Sequence, residues 1–294
     1  MLLSIIIPTL NERATLPAML SRFSCVLTGV AKEIVIVDDG SRDGTREWLA
    51  RNFPHGKRSG ARIDVDGAGD LAFAGGAADA AQITAWPLYH ERTRGKGAGV
   101  RSGLAASSGE VVVIQDADLE YDPQDWVSMF ELIAVRAVAD VVYGSRFYGR
   151  PHRSLYFHHY LGNRTISLLF NALYNQTLSD IEACYKMMTR EVKESLLLTC
   201  DDFGIEIEIS AQIARAQVAH LRAGHLLLRT HLQRRKEDQV ERRRQGALVP
   251  DQVPVRRMKR LCRRASGGLQ HRLHHEVRGK YRVEGPRSPG NDLP

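Results

Sequence analysis

The sequence is short of cysteine and of long apolar runs. Cys25, Cys184, Cys200 and Cys262 lie far apart and form no CxxC pair. A zinc site or a disulfide framework is therefore not expected, and free thiols in a reducing cytosol are the simplest reading. No apolar run approaches the roughly 20 residues that a bilayer-spanning helix needs. The opening, Met1-Leu2-Leu3-Ser4-Ile5-Ile6-Ile7-Pro8, lacks a basic flank, and its apolar run stops at Pro8. It does not read as a signal peptide. Internal repeats are absent too.

What remains is a chain of 294 residues, 43% hydrophobic and 26% charged. That suits one large or two small globular domains. Its net charge of +7 hides a split. Up to Ala214 there are 21 Lys and Arg against 27 Asp and Glu; from Arg215 onward there are 20 against 7. The two parts follow different rules.

The acidic part alternates short apolar runs with helical patterns. Residues 2–7, 33–37, 83–89, 110–115 and 140–143 read as strands. Residues 13–27, 43–52, 96–106, 124–137 and 204–216 read as helices, with Asp43 a candidate N-cap. An amphipathic stretch over 156–178 carries Leu161, Ile166, Leu168, Leu169, Phe170, Leu173 and Tyr174. Strands that are continuously apolar and separated by helices imply an α/β fold, with a mostly parallel sheet covered on both faces. Residues 56–81, rich in Gly, Ala and Asp, read as a surface insertion.

In such sheets ligands bind beyond the carboxyl ends of the strands. Asn11-Glu12 follows the first strand, Asp38-Asp39 ends the second, and Asp116-Ala117-Asp118 ends the fourth. In strand-like geometry the carboxylates of Asp116 and Asp118 face the same way. So placed, they can share a divalent cation, or divide metal and ribose contacts between them. A hard cation suits a diphosphate because it offsets the charge on a leaving nucleotide. A lone DxD is also a common surface pair, and Asp38-Asp39-Gly40-Ser41 is also an ordinary turn. Gly95-Lys96-Gly97 is not a P-loop, for no GxxxxGK[ST] surrounds it. It reads as a tight turn opening a helix, where amides and Lys96 favour an anion. Asp180 and Glu182 fit a site, a helix cap or surface carboxylates, and Glu206 and Glu208, alternating with Ile205, Ile207 and Ile209, fit a site or a solvated face.

The ordered set Ile6-Ile7-Pro8-Thr9-Leu10-Asn11-Glu12, Ile36-Val37-Asp38-Asp39-Gly40-Ser41-Arg42-Asp43-Gly44-Thr45, Gly95-Lys96-Gly97 and Asp116-Ala117-Asp118-Leu119-Glu120-Tyr121-Asp122-Pro123 resembles the family 2 glycosyltransferases. More closely, it resembles the branch that glycosylates polyprenyl phosphates. Gly144-Ser145-Arg146-Phe147, Leu161-Gly162-Asn163-Arg164, Ser179-Asp180-Ile181-Glu182-Ala183-Cys184-Tyr185-Lys186 and Phe203-Gly204-Ile205-Glu206-Ile207-Glu208 extend the likeness, which covers residues 2–216. It implies a GT-A, Rossmann-like domain over 1–216. It implies a nucleotide-sugar pocket lined by Pro8, Leu10, Glu12, Val37, Asp39, Lys96, Asp116 and Ala117. Asp39 would accept from base or ribose, and Asp116 would meet the nucleoside side. Asp118 and Glu120 would ligate Mg²⁺ or Mn²⁺. Arg146 and Arg164 would meet phosphate, with Arg153 and His159 behind them and Asp180 in the catalytic set.

The resemblance further implies an inverting transfer of a hexose from a UDP- or GDP-linked sugar to a polyprenyl phosphate, dolichyl or undecaprenyl. The enzyme would be cytoplasmic, peripheral at an anionic membrane surface or on a membrane partner. The stretch over 156–174 suits either a helix at that surface or a core-facing helix. Other readings are a glycosyltransferase with a non-lipid sugar acceptor, and a nucleotide-sugar-binding remnant. The remnant arises because the family's closing basic loop has no counterpart after Gln217. The tail over 217–294 is basic with little apolar periodicity, which favours disorder. A shifted reading frame, a basic arm drawn to anionic lipid, and nucleic-acid binding all fit that composition. The abrupt change favours the first, and the lack of interleaved aromatics disfavours nucleic acid.

Overall fold

The computed structural model describes residues 1–75, 81–144, 157–216 and 220–222, the last three and 157–160 by backbone alone. In chain order the elements are β1 (Leu2–Thr9), α1 (Leu16–Arg22), β2 (Ala31–Asp38), α2 (Thr45–Asn52), β3 (Arg58–Gly60), β4 (Arg62–Val65), β5 (Leu71–Ala74), β6 (Ile83–Tyr89), α3 (Lys96–Ala106), β7 (Val111–Ile114), α4 (Asp125–Phe130), β8 (Val141–Tyr143), α5 (Phe157–Tyr174), β9 (Lys186–Thr189), α6 (Arg190–Ser195), α7 (Ile205–Ala216) and β10 (His220–Arg222).

Eight strands form one sheet in the order β10-β8-β9-β7-β1-β2-β6-β3. β7, β1, β2 and β6 run parallel. The middle of this block is dry: Ile5, Ile6, Ile7, Ile34, Val35, Ile36, Val112, Val113 and Ile114 are fully buried. Continuous β-branched runs are what a strand covered on both faces requires. The register pairs Thr9 with Asp38 and Asp38 with Tyr89. The loops after β1, β2 and β6 therefore leave the sheet side by side.

The expected mostly parallel sheet has one internal exception. β9 runs antiparallel between β7 and β8, with Lys186 opposite both Ile114 and Tyr143. An antiparallel strand enters the sheet where its parallel neighbours leave it. Lys186, the first residue of β9, therefore lies at the same end as the polar loops. The pattern did not reveal this strand, for Lys-Met-Met-Thr carries little β-branched signal.

Other differences are local. The 13–27 helix shortens to α1 plus a 3₁₀ turn over Phe23–Cys25, with Pro17 in its first turn. The 124–137 helix passes from α4 into a wider π turn over Glu131–Val135. Within the insertion, β4 and β5 form an antiparallel hairpin. Its turn is held by Asp66 Oδ1, which accepts from the amides of Ala68 and Asp70 at 2.9 Å. Trp48 Nε1 of α2 donates to Gly69 O at 2.8 Å and fastens the hairpin to the domain. β10 pairs in parallel with β8, so the sheet runs past the boundary placed at residue 216. Residues 223–294 lie outside the described residues.

Candidate active site

The chain continues from β7 through Gln115, whose amide donates to Ile6 O at 2.9 Å, and then leaves the sheet. Asp116 and Asp118 sit beyond the strand end and not in strand geometry, so they part company. Asp116 turns inward, where Lys96 Nζ lies 2.8 Å from Oδ1 and 3.1 Å from Oδ2. Asp118 is exposed. Its Oδ1 accepts from the Glu120 amide at 3.0 Å, closing a turn in which Leu119 takes φ +62°. A bulky side chain in the left-handed region costs about 1–3 kcal/mol, and such strain gathers at ligand-binding turns. Desolvation by the surrounding protein, then the negative charges of Asp116 and Glu120, push the Asp118 carboxyl up to about 7.

Below this turn lies a buried chain of alternating charge. Lys96 reaches Glu206 Oε1 at 3.4 Å as well as Asp116. Glu206 Oε2 accepts from Lys186 Nζ at 2.8 Å. Lys186 is fully buried, donates also to Ala183 O, and lies 5.6 Å from the Tyr143 ring centroid. Burial pulls the Lys96 ammonium down, but the opposing charges, Asp116 first, hold it well above its ordinary value. Glu208 accepts from the amides of Thr199 and Cys200 at 3.1 and 2.7 Å. Glu206 and Glu208 are both buried, which overturns the reading of a solvated face.

The start of α3 is not an open anion site. Ala98 N donates to Asp201 O at 3.2 Å, so a backbone carbonyl caps the helix. Gly95 has φ +109°, and a Cβ there would lie 2.3 Å from Asp201 O. Gly97 likewise faces Cys200 O, 2.4 Å from where its Cβ would be. The glycines thus let two backbones touch, and Lys96 alone faces the acids.

The other flank of the strand ends is built from the loops after β1, β2 and β6. Asn11, at φ +58°, receives the Arg42 amide on Oδ1 at 2.7 Å and donates its own amide to Ser41 Oγ at 2.8 Å. The amides of Glu12 and Arg13 reach Thr45 Oγ1 and Asp43 Oδ2. The N-cap of α2 is Gly44, at φ +92° and without a side-chain cap, and not Asp43 as expected; Asp43 stands one residue earlier and accepts the Thr45 amide at 3.1 Å, because the left-handed turn at this point needs a glycine. Glu12 Oε2 accepts from Thr15 Oγ1 at 2.7 Å. Pro8 is half-buried and Leu10 exposed. Val37 is fully buried against Gly103 of α3, so its side chain belongs to the core and not to a pocket wall. Ala117 is buried as well.

Asp39 is almost wholly enclosed. It accepts from His90 Nδ1 at 2.6 Å, from the Arg94 amide at 2.9 and 3.1 Å, and from the Gly95 amide at 2.7 Å. Sequence reasoning passed over His90, although it follows a strand at the same end as the chosen residues. Lys186 was quoted only as part of a motif. Asp180 is buried, which removes the surface alternative for it, and Arg164 is exposed on α5. Arg146 and Arg153 lie outside the described residues, as does the side chain of His159.

Among the described residues no three His, Cys, Asp or Glu side chains form a ready-made cation cage. The donor set still fits a hard cation. Asp118 and Glu120 are exposed carboxylates on one turn, and their repulsion with Asp116 is what a cation would relieve. Mg²⁺ commonly takes only one or two carboxylates and completes its shell with substrate phosphate and water.

The profile of Glycosyl transferase family 2 matches residues 4–64 and 87–197, more than half of the chain, and skips the segment that holds β5. Undecaprenyl-phosphate 4-deoxy-4-formamido-L-arabinose transferase of Pseudomonas aeruginosa is 33% identical over 135 residues, 45% of this chain and 32% of that protein. Dolichol-phosphate mannosyltransferase of Pyrococcus furiosus is 30% identical over 150 residues, 50% of this chain and 34% of that protein. The chain thus spans about a third of these curated relatives. Glucosyl-3-phosphoglycerate synthase from Mycobacterium tuberculosis, solved with Mn²⁺, uridine diphosphate and phosphoglyceric acid, superposes with a TM-score of 0.53 at 18% identity, over 80% of this chain and 73% of that one. That likeness speaks to the fold. The order of motifs, the sheet and the profile agree: the chain belongs to glycosyl transferase family 2.

Proposed function

We propose that this chain transfers a hexose from a UDP- or GDP-linked sugar to a polyprenyl phosphate, with inversion and with Mg²⁺ or Mn²⁺ bound. The observation that carries the reading is the turn after β7. It presents Asp118 and Glu120 outward while Lys96 holds Asp116 inward. The names of the relatives, an undecaprenyl-phosphate and a dolichol-phosphate transferase, support the acceptor class.

The donor enters across the loops after β1, β2 and β6, with its base toward Asp39 and its diphosphate toward Asp118. Asp118 and Glu120 would hold a divalent cation from the protein side, and its charge would offset that of the leaving diphosphate. Asp116, already neutralised by Lys96, braces the turn and meets the nucleoside. A phosphate acceptor is ionised at neutral pH and needs no general base. The protein has to position it and balance its charge. Arg164, with Arg146 and Asp180, serves that end of the site.

No helix among the described residues is long and apolar enough to cross a membrane. Leu161, Leu168 and Leu169 of α5 are exposed beside Arg164. That face suits peripheral contact with the cytosolic side of an anionic membrane, where a polyprenyl phosphate resides. The test is a transfer assay with UDP- and GDP-sugars, polyprenyl phosphate and Mg²⁺ or Mn²⁺. Asp118→Asn is expected to lose metal-dependent turnover. Full turnover by that variant sinks the assignment.

A further inference from the structure

His90 follows β6 at the carboxyl end of the sheet and is buried. Its amide donates to Asp38 O at 2.9 Å, and its carbonyl accepts from Arg46 Nη2 at 2.9 Å. Its ring is held at both nitrogens: Nδ1 lies 2.6 Å from Asp39 Oδ1, and Nε2 lies 2.9 Å from Ser102 Oγ on α3. An ionised carboxylate only accepts, so Nδ1 carries the proton. Asp39 in turn takes the amides of Arg94 and Gly95, the two residues that lead into Lys96. The bonds form a closed bracket. It runs from Ser102 through His90 and Asp39 to the start of α3, and so back to the helix that carries Ser102.

We propose that His90 is a positioning residue for the donor site, setting the 90–95 loop through Asp39 and Ser102 so that Lys96 meets Asp116. This rests on the donor reading above. The loop reaches that site through its neighbours: Asp39, which its Arg94 and Gly95 amides grip, and Lys96, which follows it in α3. The 2.6 Å bond on Asp39 Oδ1 orients the carboxylate plane, and the bond to Ser102 ties that plane to α3. A histidine bridging a carboxylate and a hydroxyl orients both, as groups behind a ligand shell do.

Two variants separate the bonds. Asn places its amide nitrogen as many bonds from Cβ as Nδ1, so His90→Asn keeps the Asp39 contact. Gln matches Nε2, so His90→Gln keeps only Ser102. The measurements on the full chain are UDP and GDP binding by calorimetry with Mn²⁺, transfer kinetics, and thermal melting. His90→Gln is expected to weaken nucleotide binding and raise the donor KM about tenfold, the loss of one hydrogen bond to a charged group. The effect falls on KM more than on kcat. His90→Asn is expected to recover most of the binding, and Ser102→Ala to move KM in the same direction by less.

Unchanged binding in folded His90→Gln overturns the proposal. So does a loss that tracks lowered melting temperature in all three variants, or one that His90→Asn fails to rescue. If His90→Gln does not fold, His90→Asn decides: folded with near-native nucleotide binding it supports the proposal, and folded with tenfold weaker binding it overturns it. Wild-type chain that binds neither nucleotide removes the donor reading itself, and this proposal with it.

Discussion

Replacing Lys186 by Met tests whether the buried charges under the candidate site act as one balanced set. The Lys186 side chain is 0% exposed and that of Glu206 5%, with 2.8 Å between Nζ and Oε2. The substitution keeps most of the side-chain volume and removes the charge. Glu206 then retains only Lys96, at 3.4 Å, and Ala183 O loses a donor. Removing one partner of a buried pair costs about 3–5 kcal/mol because the other charge stays behind, dry and unmatched. Lys96 still answers part of the Glu206 charge, which places the loss at the lower end, about 3 kcal/mol. For a domain of this size that is a fall of roughly 6–12 °C in Tm.

The companion variant sets the sign. Lys186→Met combined with Glu206→Leu removes both charges and fills the space with apolar groups. Buried pairs replaced in this way are commonly neutral or more stable. The double variant is expected to recover most of the loss, with Lys96 still paired to Asp116 at 2.8 Å. Urea and thermal unfolding followed by circular dichroism measure both. A single variant within about 1 kcal/mol of wild type refutes the reasoning, since a fully buried pair cannot be broken so cheaply. A double variant as unstable as the single refutes it too, because packing and not charge would then be at fault.

Three further outcomes follow from the geometry. Gly95→Ala puts a Cβ 2.3 Å from Asp201 O at φ +109°; it is expected to destabilise by about 1–3 kcal/mol and to weaken nucleotide binding, read by melting and calorimetry, and a neutral result refutes the close approach. Asp118, pushed up to about 7 by desolvation and by Asp116 and Glu120, must lose its proton to bind a cation. Its raised value penalises the metal-free fold as pH rises from the ordinary carboxylate range toward 7, and a bound cation lifts that penalty. Apparent Mn²⁺ affinity in the presence of UDP is therefore expected to fall about tenfold per pH unit below 7 and level off above it; a flat profile in calorimetry refutes this. Asp39 offers about four acceptor positions; three N–H groups occupy them, the Arg94 amide shared between both oxygens at 2.9 and 3.1 Å, so at most one position is left. Uracil presents a single ring N–H and guanine an N–H with an amino group beside it. UDP is accordingly expected to bind about tenfold tighter than GDP, and equal or tighter GDP binding counts against Asp39 as the base contact.

The interior of the sheet was legible because its residues answer one local demand. Ile5–Ile7, Ile34–Val37 and Val111–Ile114 are unbroken β-branched runs, and a strand covered on both faces needs little else. Polar residues at the ends of those runs, Asn11, Asp38, Asp39 and Asp116, were legible by the same token, since a parallel sheet has one end where ligands bind. The hairpin of β4 and β5 was hidden because Gly, Ala and Asp dominate its surroundings, while its fastening to α2 comes from Trp48 and Gly69, 21 positions apart.

What escaped notice is pairing across distance in the chain. Glu206 and Glu208 alternate with isoleucines inside the helical stretch 204–216, and nothing in that spacing says whether either acid is dry. On α7 the same residues wind around a helix buried from Ile205 to Ala211, and each acid survives there only by its partner. For Glu206 those partners are Lys96 and Lys186, 110 and 20 positions away. Lys186 reaches it only because β9 enters the sheet backwards between β7 and β8. Nothing local in Lys-Met-Met-Thr states that direction; it follows from strand order. A carboxylate can therefore be assigned to the right end of such a fold from its place after a strand. Whether it is a ligand or a brace depends on which cation the topology sets against it. That is why Asp118 stays available while Asp116, two residues earlier, is already answered by Lys96.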